Sequence, residues 1–365
     1  MTTREEGASR VTTLADGLSC DTLPLWRQYL EMAVLRAWRG VGPRYFRTAG
    51  FASRGVPWRV KRDHFGSREY TRWINRMNPP AYRKISQNKL VEKAVLRAMC
   101  LPTPRLIGLL DPWTGITPDG DPLTSAEDLG ATLRRSPAAR ICFKTLQGWG
   151  GNGFVAARVI RGEGDCRLAD LHGDRPLATD VFLKEVGFAE GSPRMVEEYI
   201  DQAPHLAALN PTSVNTLRIW ALRAGDYCEP RILGAYLRVG RTGSIVDNRE
   251  RGGLVAPVQL SHGVLGAASD GQGAWVGITH HPDSGERIAG MPLPEIDDCL
   301  ALAGRALCAF PGIRFAGVDV AVTRSGPTVV ELNVNPAKNG AAILGVTRTA
   351  LRRAFEASKE SSIRA

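Results

Sequence analysis

Three oxygen-bearing side chains interrupt two otherwise apolar runs late in the chain: Asp319 in FAGVDVAV, and Glu331 and Asn333 in VVELNVNP. Residues 331 and 333 share one face of a strand, because side chains alternate with a period of two. A turn at Arg324-Ser325-Gly326 folds one run onto the other. Asp319 lies about six residues before that turn and Glu331 about six after it, so folding carries Asp319 opposite the pair. Hard divalent cations such as Mg2+ take oxygen ligands of this kind, usually a few from protein with the rest from water or phosphate. The same acids would also suit an ordinary water-facing edge strand.

A second group stands earlier. Lys144 lies in ICFKTL, which enters QGWGGNG, a loop with glycines at 148, 150, 151 and 153, and the strand-like run GFVAARVI follows. Glycines let backbone N–H groups approach phosphate oxygens, and a lysine beside them adds a fixed positive charge. A plain tight turn would use the same residues. There is no G-x-x-x-x-G-K-[ST] loop, and the glycines lie between strands instead of opening a helix, which sets a Walker loop aside. The dinucleotide G-x-G-x-x-G context is missing too. A nucleoside triphosphate next to a cation-binding carboxylate cluster would employ both groups.

The elements that must position these residues follow from periodicity. Trp26, Leu30, Ala33, Val34, Ala37 and Trp38 have helical spacing between Pro24 and Gly40, which predicts one amphipathic helix whose aromatic residues, Tyr29 included, pack on the body. Ile85 to Met99 reads as a second helix, stopped by Pro102 and Pro104. Thr124-x-x-Glu127 reads as a capping box opening a helix to about Arg135. MVEEYI, VNTLRIWALRA, RILGAYLRVG and GLVAPVQL are strand-like, with a connection at Gly225-Asp226, and Pro294 to Phe310 is an amphipathic helix. Helices mixed with antiparallel strands predict an α+β arrangement. His280-His281 beside Pro282 lacks a third ligand at metal spacing, so a turn with one exposed and one hydrogen-bonded histidine is expected.

Asn88-Lys89, then PTP, the strand lysine with its glycine loop, EEYI, Arg-bearing strands and a final D…E-x-N together resemble the ATP-grasp superfamily, which includes D-alanine ligase and the glutamate-adding ligases. VEEYIDQAPHLAALNPTSVNTLRIW, LRVGRTGSIVDNRERGGLVAPV and THHPDSG resemble its sugar-transfer-associated branch. The resemblance covers roughly residues 80–345. It implies an ATP-grasp fold, two α+β subdomains gripping ATP, with subdomains at 80–200 and 201–345. These are flanked by a basic helical segment at 1–79 and a helix and tail at 346–365.

By the same resemblance Lys89 and Lys144 contact ATP phosphates, and Gly150, Gly151 and Gly153 form the phosphate-covering loop. Glu197, Glu198, Tyr199 and Ile200 supply the adenine-binding edge. Asp319, Glu331 and Asn333 hold one or two Mg2+ ions, with Mn2+ as a substitute. Arg238, Asn248, Arg251 and glycines 252–253 surround the terminal phosphate and an acyl phosphate, and Arg218 faces that phosphate or a substrate carboxylate. Where family members carry a ribose-binding carboxylate this chain reads QAPHLAAL, leaving only Asp201 nearby. The implied activity is an ADP-forming ligase joining a carboxylate to an amine or another nucleophile through an acyl phosphate, on small-molecule or carrier-linked substrates. A small-molecule kinase and a nucleotide-sensing binding module are the alternatives.

Composition bounds the rest. The chain has 365 residues, 43% of them apolar, which suits two or three packed domains. Seven cysteines form no CxxC pair, which predicts a reducing, cytoplasmic setting. No apolar run approaches the length of a membrane span. The net charge is +10, yet between Arg27 and Lys89 stand 15 Lys/Arg against 3 acids, a local surplus of +12. That stretch could meet nucleic acid, acidic lipid, or an acidic substrate or partner. The expectation is a helical cap beside the acceptor site, with Arg68, Arg72 and Arg76 offered to an anionic substrate and no nucleic-acid role.

Overall fold

The computed structural model describes residues 22–148, 150–186, 192–224, 229–247, 252–270 and 277–361. It opens with helices α1 (Leu25–Arg39), α2 (Pro43–Thr48), α3 (Trp58–Lys61), α4 (Ser67–Met77), α5 (Pro80–Gln87) and α6 (Lys89–Ala98). Next come β1 (Leu106–Leu110), α7 (Ala126–Arg135), β2 (Arg140–Thr145), β3 (Val155–Arg161), β4 (Cys166–Asp170), β5 (Leu177–Ala178), α8 (Thr179–Glu185) and β6 (Arg194–Glu198). The second half holds α9 (Pro204–Leu209), β7 (Thr216–Leu222), β8 (Arg231–Val239), β9 (Leu254–Gln259), β10 (Val264–Leu265), α10 (Ile296–Cys308), β11 (Phe315–Thr323) and β12 (Gly326–Asn333). Helices α11 (Asn339–Leu344) and α12 (Arg348–Ser361) close it.

The strands make two antiparallel sheets, ordered β1-β6-β2-β3-β4-β5 and β10-β9-β8-β7-β11-β12, so the expected α+β class is observed. In the first sheet Ile141, Phe143 and Val196 face Leu129 and Leu133 of α7 and Phe182 of α8. The second sheet is covered on both faces. Leu302, Ala303 and Ala306 of α10, with Leu206 of α9 and Leu96 of α6, pack on one side. Tyr70, Ile74 and Met77 of α4 join Leu344, Leu351 and Phe355 against Trp220 on the other. Burial on both faces explains why β11 reads as a nearly continuous apolar run.

Three expectations change. The helix from Ile85 to Met99 is two helices, because the Asn88 side chain turns back and accepts from the N–H groups of Leu90 at 3.1 Å and Val91 at 3.2 Å. Such a cap satisfies helix-start donors that a continuous helix would not expose. The capping box is built by Ser125 and Asp128, one residue later than Thr124 and Glu127. The third change concerns α1, whose aromatic residues do not pack on the body: Trp26 is 68%, Tyr29 67% and Trp38 59% exposed. Spacing shows that a helix is two-faced, not which face meets the protein. Leu35 is the buried contact, and Glu31 turns inward to pair with the buried Lys61 at 2.7 Å.

Asn78 ends α4 and is fully buried. Its amide donates to the carbonyls of Phe315 and Val334, both at 2.6 Å, and its oxygen accepts from the N–H groups of Arg314 and Phe315. One side chain thereby ties the helical segment to both ends of the β11–β12 hairpin.

Candidate active site

A cavity of about 460 Å3 opens between the two sheets. Strand β2 aims Lys144 into it and β6 aims Glu197, while α6 contributes Lys89, Glu92 and Lys93. The opposite wall carries Thr216 and Arg218 of β7, Tyr236 and Arg238 of β8, Asp319 of β11 and Glu331 and Asn333 of β12. One end is apolar, with Cys142, Phe154, Met195, Tyr199, Ile200 and Val214.

The hairpin register is the one that the sequence implies. Asp319 pairs directly with Glu331 and Gly317 with Asn333, and the ladder slips by one residue between Asp319 and Val320. Asn333 donates to Glu331 at 3.0 Å. Burial works against the Glu331 carboxylate, but Lys89 and Arg218 outweigh it and hold the group below its ordinary range. Asp319 is gripped by two guanidiniums: Arg218 binds both of its oxygens, and Arg238 reaches it at 3.0 Å. Arg238 also reaches Asp247 at 2.8 Å, and Asp247 accepts from the Thr216 hydroxyl. Two carboxylates and an amide oxygen on one cavity wall are the donor set a hard divalent cation uses, so these residues fit such an ion.

Across the cavity, Glu197 is buried between Lys144 and Lys93, the latter at 2.7 Å. Burial disfavours its charged form, yet the two ammonium groups outweigh that and hold the carboxyl below its ordinary range. Burial likewise opposes the Lys144 charge, and Glu197 more than restores it. Lys89 donates to the Gly148 carbonyl at 2.8 Å, fastening the glycine loop at its base. Gly151 has φ +74°, and a Cβ there would meet Val246 of the facing loop at 3.0 Å. The glycine loop therefore closes against the second half of the chain.

Gly150, Gly151, Tyr199 and Ile200 line the cavity as expected. Gly153 lies outside the lining, with φ +69° and its carbonyl accepting from Arg194 at 3.0 Å. Glu198 points away and pairs with Arg105, by the alternation of a strand. The N–H groups of Glu198 and Tyr199 bond to the carbonyls of Arg105 and Arg140. Asp201 pairs with Arg140 outside the lining. Asn248 and Arg251 lie outside the described residues, as does Gly225-Asp226. Arg68, Arg72 and Arg76 are exposed and do not line the cavity; Arg44 of α2 does, and among the described residues its guanidinium has no partner. His280 is exposed, while His281 is buried and bonds through Nε2 to the Gly240 carbonyl at 2.9 Å.

Sequence reasoning missed Glu92, Lys93, Asp247 and Arg44. Lys93 had a signal, since it stands four residues after Lys89 and so shares its helix face. Glu92 accepts from Ser86 at 2.8 Å and from the Leu332 N–H at 3.1 Å, and burial with the nearby Glu331 raises its carboxyl to about 8. Six basic side chains, Arg44, Lys89, Lys93, Lys144, Arg218 and Arg238, thus face five carboxyls, and burial pushes Glu92 and Lys93 alike towards their neutral forms. The surplus favours an anion.

Two antiparallel sheets around a glycine loop, strand lysine and carboxylate hairpin define an ATP-grasp protein. The sequence pattern of the family described as sugar-transfer associated ATP-grasp matches residues 68–352, and the chain belongs to that family. Among curated proteins none matches this chain. Among solved structures it is similar to an L-amino acid ligase from Bacillus licheniformis, with 13% identity over 75% of this chain and 48% of that one and a TM-score of 0.40. It is also similar to a D-alanine–D-alanine ligase from Bacillus anthracis, with 13% identity over 76% and 68% and a TM-score of 0.38. A third is N5-carboxyaminoimidazole synthase from Aspergillus clavatus in complex with ADP, with 11% identity over 69% and 45% and a TM-score of 0.38. The chain spans about half the length of several such structures.

Proposed function

We propose that the chain is an ATP-dependent ligase that activates a carboxylate as an acyl phosphate and passes it to an amine, releasing ADP and phosphate. The observation that carries this reading is the convergence of Lys89, Lys144, Asp319, Glu331 and Asn333 on one cavity from α6 and both sheets. A carboxylate oxygen attacks the γ-phosphorus, the bond to the β-phosphate oxygen breaks, and ADP leaves. The amine then attacks the acyl carbon, phosphate departs, and the amine loses a proton to give the amide. Asp319, Glu331 and Asn333 would hold Mg2+, which when bound would neutralise charge on the transferred group.

The residues act by positioning and charge. Lys144 is kept ionised by Glu197 and Lys89 is anchored at the loop, so both meet the phosphates. Arg218 and Arg238 hold cationic charge beside the reacting phosphoryl group, and Asn248 and Arg251 are assigned there with them. The apolar end around Phe154, Tyr199 and Val214 takes adenine, and its edge contact falls to Ile200 because the preceding N–H groups are spent. Arg44 faces an anionic group on a substrate. A division into 1–79, 80–200, 201–345 and 346–365 belongs to the same reading, supported by the two sheets being built from residues 106–198 and 216–333. So does a cytoplasmic setting, supported by free thiols at Cys100, Cys142, Cys166, Cys299 and Cys308.

The test is incubation with ATP, Mg2+ and pooled carboxylates and amines, followed by chromatography. ADP, phosphate and an amide are expected. AMP with pyrophosphate would mean adenylation instead, ADP with a stable phosphorylated product a kinase, and nucleotide binding without turnover a sensor.

A further inference from the structure

Helix α1 is turned inside out. Leu25, Trp26, Tyr29, Leu30, Val34 and Trp38 are between 39% and 70% exposed, while Glu31 is buried. At 3.6 residues per turn these six cover more than half of the helix circumference, with Ala33 and Ala37 between them. Arg27 and Arg36 stand at the two margins of that arc. Among the described residues nothing covers the face. Arg47, Arg59 and Arg62 are exposed in the helices and turns that carry α1, within the segment whose surplus is +12.

We propose that α1 is a membrane-surface helix that docks the protein on a bilayer containing acidic phospholipid. Tryptophan and tyrosine favour the headgroup boundary, leucine and valine reach the upper acyl region, and arginines at the margins meet phosphates. The helix is about 22 Å long by its 1.5 Å rise per residue, so it lies in the interface and does not cross it. No described helix is long and apolar enough to cross a membrane. Charge argues against a second copy as the occupant, since the arginines on and beside α1 would then face those of the other copy. This docking does not depend on the ligase reading.

The test is flotation of the full chain with vesicles of phosphatidylcholine alone or mixed with phosphatidylglycerol. Binding to the mixed vesicles is expected, with little to the neutral ones and a steep loss as salt rises. The double substitution Trp26→Ser, Trp38→Ser should weaken partitioning by about tenfold or more, while melting temperature and nucleotide binding stay unchanged. Trp113→Ser, at a residue 84% exposed outside this segment, should leave partitioning as it was. No binding to mixed vesicles, or equal binding by the double variant, would overturn the proposal. So would a dimer in light scattering that the double variant dissolves without any vesicle binding.

Discussion

Glu331 and Asp319 face each other across one hairpin but are held differently, and that decides how each responds to substitution. Asp319 neutralises Arg218 and shares Arg238 with Asp247, so Asp319→Asn leaves the half-buried Arg218 guanidinium without its carboxylate and should cost about 2–4 kcal/mol in chemical denaturation. Among the described residues Glu331 is tied by hydrogen bond only to Asn333, so Glu331→Gln should abolish turnover while stability moves by less than about 1.5 kcal/mol. Full Mg2+-dependent activity in Glu331→Gln would remove the residue from the cation site. Glu92 offers a pH signature. Its carboxyl lies near 8 in the folded protein against 4.5 when unfolded, so the folded state binds the extra proton and stability falls as pH rises through that window. Glu92→Gln should flatten this fall in thermal melts without divalent ions; parallel profiles would refute it. The hairpin acids were legible because strand alternation and a turn fix their register. Glu92, Asp247 and Arg44 were not, because only packing between distant elements brings them to the cavity.

At the scale of elements, the junction between α5 and α6 sets the phosphate side of the site. Asn88 starts α6, and the same turn lets the Lys89 N–H donate to the Leu146 carbonyl at 2.9 Å while its ammonium reaches Gly148. Asn88→Ala should therefore lower stability by about 1 kcal/mol and raise the KM for ATP more than that for the other substrates. Denaturation curves and initial rates check both halves. The sequence showed the helical pattern across 85–99 but hid the break, because an asparagine inside apolar periodicity is also tolerated mid-helix. Strands β7, β8, β11 and β12 were readable from apolar alternation and turn residues. The outward face of α1 was not, since a helix pattern carries no label for water or protein.

Over the whole molecule, the segment before residue 68 lies outside the matched family region yet contributes Arg44 to the cavity. Arg44→Ala should raise the KM for one non-nucleotide substrate several-fold and leave that for ATP within about twofold, as expected when a charged partner at the cavity mouth is lost. A change confined to ATP would reassign the residue. Asn78 carries a different consequence, in the order of synthesis. Its partners lie 237 and 256 residues further along, so α4 leaves the ribosome long before the hairpin that anchors it exists. At about 5–20 residues per second that interval is on the order of 12–50 s. Until β7 and β8 have emerged Tyr70, Ile74 and Met77 have no sheet to cover them, and until Val334 follows α4 lacks its anchor, which makes the nascent segment a natural client for a chaperone.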